Sequence, residues 1–102
     1  MNLLNNKRPL NDVNRFAYKK LKQVQKAIVE CNTLGLEVEE IEFNCIKPRI
    51  RIKDNSAAAR LEYIGRAIEY GFGQDKSGKV RMLQIMAAGI KVIWLTNRER
   101  IH

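Results

Sequence analysis

Histidine is almost missing from this chain: the single copy, His102, is the last of 102 residues. That leaves no side chain that titrates near neutrality unperturbed and could serve as a central general base. Serine is nearly as scarce. Ser56 falls at an expected helix start and Ser77 in an expected turn, and neither has a GxSxG context. The two cysteines, Cys31 and Cys45, show no CxxC spacing and there is no HxxxH, which argues against a zinc site. The expectation is two buried, reduced thiols in a cytosolic protein. No apolar run approaches the ~20 residues of a membrane span, and the N-terminus lacks the apolar core of a signal peptide. A cytoplasmic location is therefore expected. Residues 72–79, FGQDKSGK, hold two glycines and a lysine of a phosphate loop but lack GxxxxGK[ST]. The chain offers no catalytic residue, no metal ligand set and no cofactor motif, so it is read as not an enzyme.

What is present is positive charge. The net charge is +8 with a pI near 9.8, which favours a polyanion or an acidic protein surface as partner. The charge comes in blocks: +5 over residues 1–35, −4 over residues 36–45, and +7 over the remainder. Opposite blocks next to one another suggest cross-strand pairs within the fold.

The densest apolar stretch is KVRMLQIMAAGIKVIWLT, residues 79–96. It reads as a β-hairpin turning at Ala88-Gly89, because glycine tolerates the positive φ of a tight turn. Leu83 then faces Trp94, Ile85 faces Val92 and Ala87 faces Ile90. The other side carries Met82, Gln84, Met86, Lys91, Ile93 and Leu95, also largely apolar. Such a pair needs cover on both faces, from helices or from another molecule. The rival reading is a helix over residues 80–88 ended by Gly89.

Residues 1–10 are read as an arm, residues 11–97 as one α+β domain and residues 98–102 as a charged tail. From residue 12 to 33, Val13, Ala17, Leu21, Val24, Ile28 and Cys31 recur at helical spacing, with Asn11 or Asp12 to cap and Gly35 to stop. The opposite face is a basic ridge: Arg15, Lys19, Lys22 and Lys26. It is either a solvated face or a row of phosphate contacts, helped by Lys7 and Arg8 on the arm.

Residues 36–43 alternate as a strand whose phase slips at Glu39-Glu40, which predicts a β-bulge. The return strand over residues 46–53 puts Ile50 and Ile52 inward and Arg49 and Arg51 outward. A turn at Asn44-Cys45 sets Glu42 against Lys47, Glu40 against Arg49 and, past the bulge, Glu37 against Arg51. Pro48 cannot donate to a ladder, which suggests an edge strand or an outward-pointing proline. A second helix, capped by Asn55 or Ser56, is expected to reach Tyr70, with Leu61, Ile64, Gly65 and Ile68 buried. Its outer face would show Arg60, Tyr63, Arg66, Ala67 and Tyr70, residue types that interfaces favour. Residues 72–78 are read as a loop. The order is α-β-β-α-β-β with an antiparallel sheet of two hairpins and both helices packed on it. The apolar surface left over, on the hairpin and on the first helix, predicts a homodimer.

The segment PRIRI (48–52), a small helix, a basic glycine loop and GIKVIW (89–94) together resemble small temperate-phage and prophage regulatory proteins of the antirepressor kind. The likeness covers about residues 47–94. It implies a protein that binds a transcriptional repressor, or another host factor such as a defence complex or nuclease, and inhibits it. No functional residue is carried over from that group, and the first helix lies outside the likeness. On residue types, the partner-binding face would be Arg60, Tyr63, Arg66, Ala67 and Tyr70. The alternative is nucleic-acid binding through Lys7, Arg8, Arg15, Lys19, Lys22 and Lys26.

Overall fold

The computed structural model describes residues 8–44 and 47–100. In chain order the elements are α1 (Asp12–Thr33), β1 (Val38–Glu42), β2 (Arg49–Ile52), α2 (Ser56–Tyr63), β3 (Ile68–Asp75), β4 (Gly78–Ala87) and β5 (Ile90–Thr96). The class is α+β, as the pattern predicts, with a five-stranded sheet in the order β1-β2-β5-β4-β3.

Local signals set both helix starts and one helix stop as expected. Asn11 caps α1 by accepting from the Asn14 amide at 2.8 Å, and Asn55 caps α2 by accepting from the Ala58 amide at 2.9 Å. Gly35, at φ +79°, ends α1: its amide donates to the Asn32 carbonyl and the Leu36 amide to that of Cys31. The β4–β5 hairpin has the expected register, Leu83 on Trp94, Ile85 on Val92 and Ala87 on Ile90, turning at Ala88-Gly89. The bulge in β1 falls between Val38 and Glu40.

Four expectations are corrected. First, α2 stops at Tyr63, so Ile64, Gly65 and Ile68 are not a buried helical stripe. Gly65 has φ +81° and repeats the α1 ending, with Gly65 and Arg66 amides donating to the Glu62 and Leu61 carbonyls. Second, the segment read as helix end and loop is β3. Its two-residue turn at Lys76-Ser77 is closed by the Asp75 carboxylate, which accepts from the Ser77 amide at 2.8 Å and hydroxyl at 2.6 Å and is held below its usual pKa by them. Third, the sheet is mixed. β3 adds one more traverse of the chain, and β5 runs parallel to β2. Fourth, the β1–β2 connection is longer than two residues, so Glu42 opposes Arg49 and Glu40 opposes Arg51. β2 is interior, not an edge; Pro48 is buried just before it and takes no ladder position.

One face of the sheet forms the core. Ile50, Ile52, Leu83, Ile85, Ala87, Ile90, Val92 and Trp94 pack with Val24, Ala27 and Cys31 of α1 and Ala58 and Leu61 of α2. Both helices thus cover the Trp94 side. On the other side Ile93 is buried, but Met86 and Leu95 are exposed, and no described helix lies over them. Cys31 is a free, buried thiol, as expected, with its pKa pushed up by burial; Cys45 lies outside the described residues.

The C-terminal residues are tied in. Arg81, itself buried, is held by Glu62 and Glu69 and donates from Nε and Nη2 to the Arg98 carbonyl at 2.9 and 2.8 Å. Arg98 pairs with Asp54 at 2.8 Å and Arg100 with Glu69 at 2.6 Å. The charged tail is therefore bound to the body at least to Arg100.

Candidate functional site

The helix α1 is 22 residues, about 33 Å long. The sheet covers only part of it. Val24, Ala27 and Cys31 are buried, whereas Val13, Ala17 and Leu21 of the expected apolar stripe are exposed, as is Phe16. The molecule is accordingly elongated, 56 × 25 × 19 Å, with a radius of gyration of 16.5 Å against ~13 Å for a compact chain of this size. The N-terminal half of α1 extends beyond the body.

Where the helix leaves the sheet it passes the β4–β5 turn. Gln23 donates from Nε2 to the Ala88 carbonyl at 3.0 Å, and the Glu30 carboxylate accepts from the Ala88 amide at 2.9 Å. Gln23 and Glu30 are two helical turns apart on one side, and together they clamp the turn. A larger residue at Gly89 would push Gln23 off the turn, since an added Cβ would lie 2.6 Å from Gln23 Nε2, and the φ of +77° strains any side chain there. Ala88 itself adopts φ +49°, a conformation that asparagine tolerates better than alanine. Ala88→Asn is therefore expected to stabilise the fold by some part of the ~1–2 kcal/mol that the left-handed region costs an ordinary residue, read by urea unfolding; no gain would show that alanine is not strained at this turn.

Beside this clamp is an open cleft lined by Lys19, Lys22, Lys26, Gln23 and Ala88. Three of the four ridge residues thus meet in one place. Lys19 and Lys26 are about 10.5 Å apart along the axis. Among the described residues none of the three lysines enters an ion pair, while the ion pairs of the body are made by arginines. Lys22 leans over the Tyr18 ring, 5.8 Å from its centroid. Arg15 is not part of the cleft: it donates to the Leu10 carbonyl at 3.1 Å and sits 3.5 Å from Asp12. Arg8 is exposed on the approach to the helix; Lys7 lies outside the described residues. Sequence reasoning found the lysines but missed Gln23 and Ala88. Their signal was faint, since it lay in the spacing of Gln23 and Glu30 rather than in residue type.

The five residues assigned to a single outer face of α2 do not form one. Arg60 and Tyr63 remain on the helix and line a shallow depression with Ser56, Ala57 and Ala59. Arg66 turns to α1 and meets Glu30 at 3.2 Å, and Ala67 packs against the core. Tyr70 sits at the irregularity in β3, between Glu69 and Gly71. Burial raises its hydroxyl pKa, and the charges that act on it are Arg49, Arg51 and Glu42. Glu42 bridges those two arginines at 2.7 and 2.9 Å. Because α2 ends seven residues before Tyr70, the two tyrosines belong to separate surfaces.

Among the described residues, no three His, Cys, Asp or Glu side chains are grouped to hold a metal ion, and no helix is long and apolar enough to cross a membrane.

The fold and this surface define a small α+β domain with a partly uncovered basic helix. The chain belongs to a family described as "Uncharacterised protein", whose model matches residues 2–97. It is also similar to an uncharacterised protein of Haemophilus influenzae (strain ATCC 51907 / DSM 11121 / KW20 / Rd), 37% identical over 82 residues, 79% of this chain and 78% of that protein. No solved structure matches it.

Proposed function

We propose that this is a non-catalytic regulatory protein that binds nucleic acid through the lysine cleft of α1. The observation that carries the reading is the convergence of Lys19, Lys22 and Lys26, none in an ion pair among the described residues, beside the clamped Ala88 turn. Spaced along two helical turns, three ammonium groups can each neutralise one phosphate of a backbone. With Arg15 outside the cleft, three contacts rather than four set the salt dependence. Binding to duplex DNA is then expected to give log K against log salt with a slope of about −3. The triple variant Lys19→Gln/Lys22→Gln/Lys26→Gln should lose that slope and nearly all retention in a filter-binding assay. Unchanged retention by the triple variant refutes the reading.

The exposed aromatics favour a second reading, a phage-type antirepressor that grips a repressor or another host protein. Tyr63 is 73% exposed next to Arg60, and Phe72 is 79% exposed on β3. Pull-down from a native host lysate separates the two. Material lost on nuclease treatment supports the first reading; a nuclease-resistant protein that no longer binds its operator in the presence of this chain supports the second.

A further inference from the structure

Next to the lysine cleft runs a line of α1 that the phosphate contacts leave unused. Asn14, Tyr18, Leu21 and Gln25 recur at helical spacing and so lie one above another, all exposed. At about 100° per residue, this line is roughly a quarter turn from Lys19, Lys22 and Lys26. It is roughly a third of a turn, the other way, from Val24, Ala27 and Cys31, which the sheet buries. Residues 12–23 carry four basic side chains and one acid, Asp12, which sits 3.5 Å from Arg15. The uncovered half of the helix thus presents a row of cations beside a line of amide, phenol and alkyl groups.

We infer that the nucleic acid is duplex DNA, with the uncovered half of α1 in its major groove, resting on the reading of the cleft as a phosphate site. One strand's backbone lies in the cleft between the lysine ridge and the Ala88 turn. The Asn14 line, a quarter turn away, then faces the base edges. The dimensions agree: a helix with its side chains is about 10–12 Å across and the groove about 12 Å wide. Asn14 and Gln25 are about 16.5 Å apart along the axis, the rise of roughly five base pairs. Their carboxamides match the N6 and N7 edge of adenine, and an apolar side chain such as Leu21 matches the thymine methyl. Charge selects a polyanion over an acidic or apolar protein on this side. A single strand would call for aromatic platforms beside the lysines. Phe16 and Tyr18, two residues apart, instead point to nearly opposite sides of α1, with Lys20 over one ring and Lys22 over the other. Duplex RNA is disfavoured because its major groove is too narrow for side chains to read.

Fluorescence anisotropy of the full chain tests this with one mixed sequence made as duplex DNA, duplex RNA and single-stranded DNA, at one salt concentration. Duplex DNA should bind about 10-fold or more tightly than either of the others. On that duplex, saturating protein should protect guanine N7, in the major groove, from dimethyl sulfate and leave adenine N3, in the minor groove, reactive. A charge-matched pair of variants places the helix. Asn14→Glu/Gln25→Glu should weaken duplex DNA binding about 10-fold more than Val13→Glu/Phe16→Glu, which adds the same charge on sides of α1 turned away from the bases. All four positions are exposed, so circular dichroism should be unchanged in both. Equal affinity for the two duplexes, tightest binding to the single strand, protection of adenine N3 instead of guanine N7, or equal losses in the two variants would overturn the inference. In each of those cases the phosphate reading of the cleft stands if the triple lysine variant still loses retention. No binding by the parent chain to any of the three probes would overturn both.

Discussion

Replacing Trp94 with alanine is expected to cost roughly 3–5 kcal/mol, a large part of the 5–15 kcal/mol that holds a domain of this size together. Trp94 is 1% exposed and lies opposite Leu83 in the centre of the covered sheet face. Its removal leaves a cavity between β4, β5 and the helices that the backbone ladder cannot close. A control makes the cause visible. The indole Nε1 is buried without a hydrogen-bond partner among the described residues, so Trp94→Phe removes an unsatisfied donor along with part of the ring. The phenylalanine variant should therefore lose much less stability than the alanine variant. Urea unfolding of both, followed by far-ultraviolet circular dichroism, checks the pair; an alanine variant within 1 kcal/mol of the parent would contradict the packing.

A comparable loss is expected at Arg81. This residue is 9% exposed and links α2, β3 and the C-terminal segment through Glu62, Glu69 and the Arg98 carbonyl. Arg81→Met keeps the length and apolar stem but leaves two carboxylates facing each other with less to neutralise them. Removing one partner from a buried ion pair costs about 3–5 kcal/mol. Arg81→Lys should recover only part, because an ammonium cannot reproduce the forked guanidinium contacts.

The network also has a pH signature. Hydrogen bonds from Arg100 and Arg81 hold the Glu69 carboxyl below its usual pKa. A depressed carboxyl contributes stability that is present above the unfolded value of ~4.3 and is lost as pH falls through the folded one. The stability gap between the parent and Glu69→Gln should therefore be wide at pH 7 and narrow progressively below about pH 4.3. A gap that stays the same as pH falls well below about 4.3 would show that Glu69 is not held by the arginines.

Misreading one glycine accounts for much of what the sequence reading got wrong. Gly65 was expected inside α2 as a tolerated weak point, yet its positive φ makes it the stop. Once α2 was carried seven residues too far, Arg60, Tyr63, Arg66, Ala67 and Tyr70 fell on one notional helix face. The alternation of Ile68, Tyr70 and Phe72 in β3 was there to be read, but Gly71 and Gly73 between them look like loop. In the sheet Gly71 gives room to Met82 of β4, whose sulfur lies 3.2 Å from where a Cβ would be. The lysine ridge fared better, since a helical period carries neighbouring side chains to one surface whatever the rest of the fold does.

Short-range physics was legible in the chain itself. Asparagine caps, the Gly35 stop, the Ala88-Gly89 turn and the bulge in β1 all follow from sterics and hydrogen bonds within a few residues. Alternation then selected which hairpin face carries Leu83 and Trp94. What the sequence alone left open depends on where distant segments come to rest: the parallel β2–β5 pairing, the reach of Arg81 to the C-terminal segment, and the end of the sheet partway along α1. A helical stripe states that a face is apolar, but only the extent of the sheet decides how much of that face is covered. Here the sheet buries Val24, Ala27 and Cys31 and leaves Val13, Ala17 and Leu21 bare, because α1 continues past the hairpin turn held by Gln23 and Glu30.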